Sequence, residues 1–134
     1  MTFEEIEKIV FENGGVPEHL MLEEMYCFDM LDLLFQRYRQ GTISKYEAGN
    51  RKNKIKIGFE QSKYNRDLYR DGHREYQENI RKAESLRSDI IKGVKAEFGY
   101  DKLFVLAVEC IGKMTDDKTF KEIVTKYEKQ TGEM

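Results

Sequence analysis

Between Gln40 and Ser44 the chain ends one helix and begins another, and this punctuation constrains the fold more than any other feature. Upstream, Leu22, Met25, Tyr26, Met30, Leu33, Leu34 and Tyr38 follow the i, i+3, i+4, i+7 spacing of a helix with one buried face. Phe28, Leu31 and Phe35 widen that stripe, so packing on more than one side is expected. Gly41 follows the last periodic residue, and glycine closes a helix in the left-handed conformation without a Cβ clash. Ser44-Lys45-Tyr46-Glu47 then forms a capping-box pattern, with Ile43 placed to staple onto Ala48. So short a link sets the two helices side by side as an αα-hairpin. A DNA-reading helix-turn-helix also has a short turn with glycine, but its helices are compact and the first helix here is long.

The same reading extends along the chain. Thr2-Phe3-Glu4-Glu5 opens a helix with Phe3, Ile6, Ile9 and Val10 on one face, and Asn13-Gly14-Gly15 ends it. The central helix is expected from Glu18 to Gln40. From Ser44 to Glu97 the pattern is polar and charged, with no strong stop, and predicts a long helix of about 80 Å that bends near Gly58 or Asp71-Gly72. Ile55, Ile57 and Phe59 alternate as in a strand, but no partner strand is evident. Tyr69, Tyr76, Ala83 and Ile90 recur every seven residues, a short coiled-coil-like seam suited to dimerisation or partner docking. After Gly99, Asp101 caps a short helix, Leu103 to Ile111, that is apolar nearly all round and belongs in a core. Phe120, Ile123, Val124 and Tyr127 mark a last one-faced helix. The fold class expected is all-α, one domain over residues 1–134, a bundle of about five helices built on the central hairpin.

Composition supports this reading: 36% of the 134 residues are charged, and strict apolar alternation is missing. No apolar run reaches the ~18 residues of a membrane span and no signal-peptide pattern opens the chain, so a cytoplasmic protein without membrane contact is expected. Cys27 and Cys110 sit in apolar helical stretches and read as buried, reduced thiols.

The net charge of −2 is unevenly spread. Residues 1–36 carry one lysine against nine acidic residues, whereas residues 37–74 carry eleven Lys/Arg against four. Three readings follow. The acidic and basic segments could pair internally, the basic stretch could bind phosphates, or the acidic segment could form a mimic face. For the second, Arg51, Lys52, Lys54, Lys56, Lys63, Arg66 and Arg70 are the candidate nucleic-acid contacts, with Tyr38, Tyr46, Phe59, Tyr64 and Tyr69 interleaved as stacking rings. The sequence pI near 5.8 argues against it.

Catalytic and metal chemistry find little support. His19 and His73 lack ligand or nucleophile spacing, Asp29 and Asp32 share a solvated helical face, and Gly14-Gly15 lacks the lysine and hydroxyl of a phosphate loop. No cofactor, metal site or catalytic residue is expected, and the chain does not read as an enzyme.

The string Pro17, Leu22-Glu23-Glu24-Met25, Leu33 to Lys45 and Ala48 resembles small uncharacterised helical proteins of phages and prophages of Gram-positive bacteria. Those carry a Leu-Tyr-x-x-Tyr-Arg-x-Gly-x-Ile-Ser-Lys turn before a long charged helix. The likeness spans about Val16 to Lys95, with Phe35 where the pattern has Tyr and Arg51-Lys52 where it usually has Glu-Lys. It implies a phage or mobile-element origin and a bacterial cytoplasm. The resemblance implies no biochemistry of its own, but small accessory proteins of such elements often bind host proteins. The function expected is therefore a non-enzymatic interaction module that binds a host protein or a second copy of itself, with a defence factor such as a CRISPR nuclease as one target. Nucleic-acid binding through residues 37–74 is the alternative.

Overall fold

The computed structural model describes residues 1–69, 74–95, 100–113 and 117–132. They form six helices: α1 (Phe3–Phe11), α2 (Leu22–Arg39), α3 (Lys45–Tyr69), α4 (Arg74–Lys95), α5 (Tyr100–Lys113) and α6 (Asp117–Gly132). No strand occurs among the described residues.

The helix ends follow local chemistry. The Thr2 hydroxyl accepts from the Glu5 N–H at 3.1 Å, and the Ser44 hydroxyl accepts from the Glu47 N–H at 3.1 Å. Gly41 has φ +76°, its N–H donates to the Tyr38 carbonyl, and the Thr42 N–H reaches back to Arg37. This is a Schellman closure. The end of α1 uses the same geometry, but Asn13, at φ +55°, takes the left-handed position expected of a glycine. The central helix starts at Leu22 rather than Glu18. His19 is itself left-handed at φ +61°, and the Glu24 carboxylate accepts from the Met21 N–H at 2.8 Å, fixing the start there.

The pairings between helices fix their directions. Glu23 with Arg66, and Arg37 and Arg51 against the same Tyr100 ring, make α2 and α3 antiparallel, as the hairpin requires. Arg51 with Asp101 and Asn65 with the Gly112 carbonyl make α3 and α5 parallel. Tyr26 with Ala83 and Asp29 with Arg87 make α2 and α4 parallel. The chain therefore reverses between α3 and α4. A continuous helix would separate Gly58 from Gly93 by about 50 Å. Instead both pack on α5, where a Cβ on Gly58 would lie 3.0 Å from the Val108 carbonyl and a Cβ on Gly93 would collide with Leu103. The expected long bent helix is thus two helices, which raises the number from about five to six. Gly58 is no kink: it lies inside α3 and allows α5 to approach.

α2 and α5 carry the core. Tyr26, Cys27, Met30, Leu31 and Leu34 from α2 meet Leu106, Ala107, Cys110 and Ile111 from α5, all at most 2% exposed. Ile55 and Phe59 of α3 join them while Ile57 between them points outward, so the alternating run is helical. The Tyr26 hydroxyl donates to the Ala83 carbonyl at 2.5 Å and accepts from the Cys110 thiol at 3.4 Å, joining α2, α4 and α5. Burial pushes the Cys110 thiol up to about 12, and Cys27 is raised by the same cause. Both cysteines are free and buried. A thiol-reactive reagent at pH 8 is expected to label neither in the native protein and both after denaturation. Rapid native labelling of either would contradict the packing.

Candidate interaction surface

The basic stretch becomes α3, and α3 turns most of its charges inward or sideways. Lys52 meets Glu7 at 2.9 Å and Lys56 meets Glu4 at 3.1 Å, stitching α3 to α1. Lys63 donates to the Met1 carbonyl at 2.9 Å. Arg66 pairs with Glu23, which is only 2% exposed. Arg51 pairs with Asp101 and lies against the Tyr100 and Phe104 rings, with Arg37 against Tyr100 as well. Five of the seven candidate nucleic-acid contacts are thus held by groups of the same chain. Lys54 is exposed and meets no carboxylate among the described residues, and Arg70 lies outside them.

The pairing between α1 and α3 carries a pH signature. The Glu4 carboxyl is held below the usual carboxylate range, first by a backbone N–H at the start of α1 and then by Lys56. Lys56 is raised by the same partner. A depressed carboxyl adds stability above its unfolded pKa that is lost as pH falls through the folded one. A raised amine adds stability that is lost as pH rises through its folded pKa. The pair therefore stabilises the neutral range and fades at both ends. A Glu4→Gln/Lys56→Met double-mutant cycle, read by urea denaturation, should show coupling at pH 7 that fades as the Glu4 carboxylate is protonated in acid and shrinks in high salt. Coupling that persists in full after the carboxylate has been protonated would refute this origin.

With the cations committed, α3 presents a nearly uncharged ridge to solvent. Tyr46, Asn50, Asn53, Ile57 and Tyr64 are all exposed, Tyr46 by 79% and Ile57 by 59%, and their spacing puts them on one helical face. Among the described side chains, Glu60 is the carboxylate along it. Beside the ridge, α3 and α5 leave a groove of about 280 Å³ lined by Ile57, Gly58, Gln61, Val108 and Gly112, with Lys54, Glu109 and Lys113 at its rim. Val105, one turn before Val108 on α5, is a further exposed apolar side chain, at 46%. That volume is just under the ~300–1,000 Å³ usual for small-molecule sites.

The seven-residue seam is divided. Tyr69 ends α3, while Tyr76, Ala83 and Ile90 lie on α4. Ala83 and Ile90 have no exposed surface and belong to the core, so they offer nothing to an outside partner. The side chains of Tyr69 and Tyr76 lie outside the described residues.

Other sequence candidates find ordinary surroundings. His19 is exposed in the loop before α2, beside Glu18. Asp29 accepts from Arg87 at 2.7 Å and Asp32 from Gln36 at 2.9 Å. His73 lies outside the described residues. Among the described residues no group of three or more His, Cys, Asp or Glu converges as a metal site, and no helix is long and apolar enough to cross a membrane.

The ridge and the groove were missed in sequence because α3 is apolar on two opposite faces. Only the burial of Ile55 and Phe59 tells which face remains free. No protein-family model, curated protein or solved structure matches the chain.

Proposed function

We propose that the protein is a non-enzymatic accessory factor of a phage or mobile element, acting by protein–protein interaction, with a host defence factor such as a CRISPR nuclease as its target class. The supporting observation is the outward face of α3. Its Tyr, Ile and Asn side chains with few charges match the composition of protein-interface centres, where aromatics are enriched and Lys, Glu and Asp depleted. The phage resemblance of residues 16–95 points the same way. The buried halves of the seven-residue seam, Ala83 and Ile90, move the proposed contact from α4 to α3.

Nucleic-acid binding is the second reading, favoured by the exposed rings of Tyr46 and Tyr64 on the helix that carries Lys54. Light scattering separates the two. With a mixed DNA and RNA pool at low salt, the protein-interaction reading expects no mass increase. It also expects capture of a host protein that survives moderate salt and is lost in Tyr46→Ala/Tyr64→Ala. A mass increase with nucleic acid that disappears as salt rises would transfer the function to the basic stretch.

A further inference from the structure

We propose that the groove between α3 and α5 docks an amphipathic helix of a partner protein, whose apolar ridge fills the groove and whose flanking carboxylates meet Lys54 and Lys113. This inference rests on the protein-interaction reading and specifies the chemistry of the partner.

The groove is shaped for an apolar ridge. Gly58 and Gly112 form its floor, and a Cβ on Gly112 would lie 3.5 Å from the Gly58 Cα, so the helices nearly touch there and no side chain rises between them. Ile57 and Val108 stand as walls on either side. Ile57 is 59% exposed, so most of this aliphatic side chain stays in water among the described residues. A helix of another chain laid along the cleft would remove both walls from water. Helix-in-groove recognition works this way, through residues at i, i+3, i+4 and i+7.

The charges select the partner. Lys54 stands at one end of the groove and Lys113 at the other, and neither meets a carboxylate among the described residues. Glu109, the acidic group of the lining, already pairs with Lys126 at 3.1 Å. The rim is therefore net positive. The close approach of Gly112 to Gly58 sets Lys113 about one residue beyond the level of Gly58, roughly 8 Å along α3 from Lys54. Carboxylates one to two turns apart on the partner helix would reach both ends. A second copy placed by a two-fold axis would instead oppose lysine to lysine, which the like charges disfavour. Among the described residues that line the groove, nucleic acid would meet two cations, separated by an apolar floor.

The experiment uses the full chain and two synthetic helical peptides of about four turns. Both carry the same leucine ridge at i, i+3, i+4 and i+7; one has glutamates flanking it and the other lysines. Binding is read by fluorescence anisotropy, and the site by amide chemical-shift changes. The glutamate peptide should bind at least about tenfold more tightly than the lysine peptide, with shifts confined to α3 and α5. Ile57→Asp, a substitution at an exposed position that leaves the circular dichroism unchanged, should weaken it by about tenfold or more. Lys54→Glu/Lys113→Glu should invert the preference between the peptides. Equal binding of both peptides, insensitivity to Ile57→Asp, shifts mapping elsewhere, or no binding of either would overturn the proposal. The Tyr46→Ala/Tyr64→Ala capture experiment is independent of these peptides. Loss of the peptide result alone therefore rejects the groove, and loss of the capture result rejects the interaction reading itself.

Discussion

Arg66→Ala is expected to cost about 3–5 kcal/mol, a fall in Tm of more than about 10 °C, because it strands a buried carboxylate. Glu23 is 2% exposed and Arg66 is its cation, so the pair joins α2 to α3 far from their connecting turn. Removing the guanidinium leaves Glu23 to bear its desolvation alone. Replacing both residues, as in Glu23→Met/Arg66→Met, removes the charge together with its need for a partner and should recover most of the loss. Urea denaturation of the two variants checks this. A single-variant loss below about 1 kcal/mol would mean that the pair behaves like a solvated surface bridge.

The second large effect is a change of sign between two glycines of one helix. In a helix interior, glycine to alanine normally gains up to about 1 kcal/mol. Gly49→Ala should show that gain, since nothing lies within 4 Å of a Cβ built there. Gly58→Ala should lose stability instead, because its Cβ would press on the Val108 carbonyl at 3.0 Å, and backbone does not yield as a side-chain tip does. Gly58→Val forces α3 and α5 apart and should cost about 2–3 kcal/mol. Thermal melts of the three variants give the test. A Tm rise in Gly58→Ala equal to that in Gly49→Ala would remove the close approach, and with it the floor of the proposed docking groove.

The two effects share a cause with what was hidden in the sequence. Neither Arg66 nor Gly58 differs from its neighbours in the linear string. Arg66 reads as one more cation of a basic run, and Gly58 reads as a kink. Their roles come from residues 43 positions earlier and 50 positions later. The same holds for Lys52 and Lys56, which look free in sequence and are taken by Glu7 and Glu4. Internal pairing was one of the three readings of the charge asymmetry, but which lysine found a partner was not legible.

The sequence by itself determined what forms within a turn or two of chain. Thr2 and Ser44 cap helices, Gly41 closes one, the short link folds α2 against α3, and the apolar run from Leu103 to Ile111 enters the core. These rest on hydrogen bonds and side-chain periodicity between residues close in sequence. The tertiary structure alone decided that the chain reverses between α3 and α4, and that the outward face of α3 carries tyrosines and isoleucine rather than cations. The reason is physical. With Ile55 and Phe59 on one side of α3 and Tyr46, Ile57 and Tyr64 on the other, the helix has no single apolar direction of its own, and only packing against α2 and α5 chooses which side is buried.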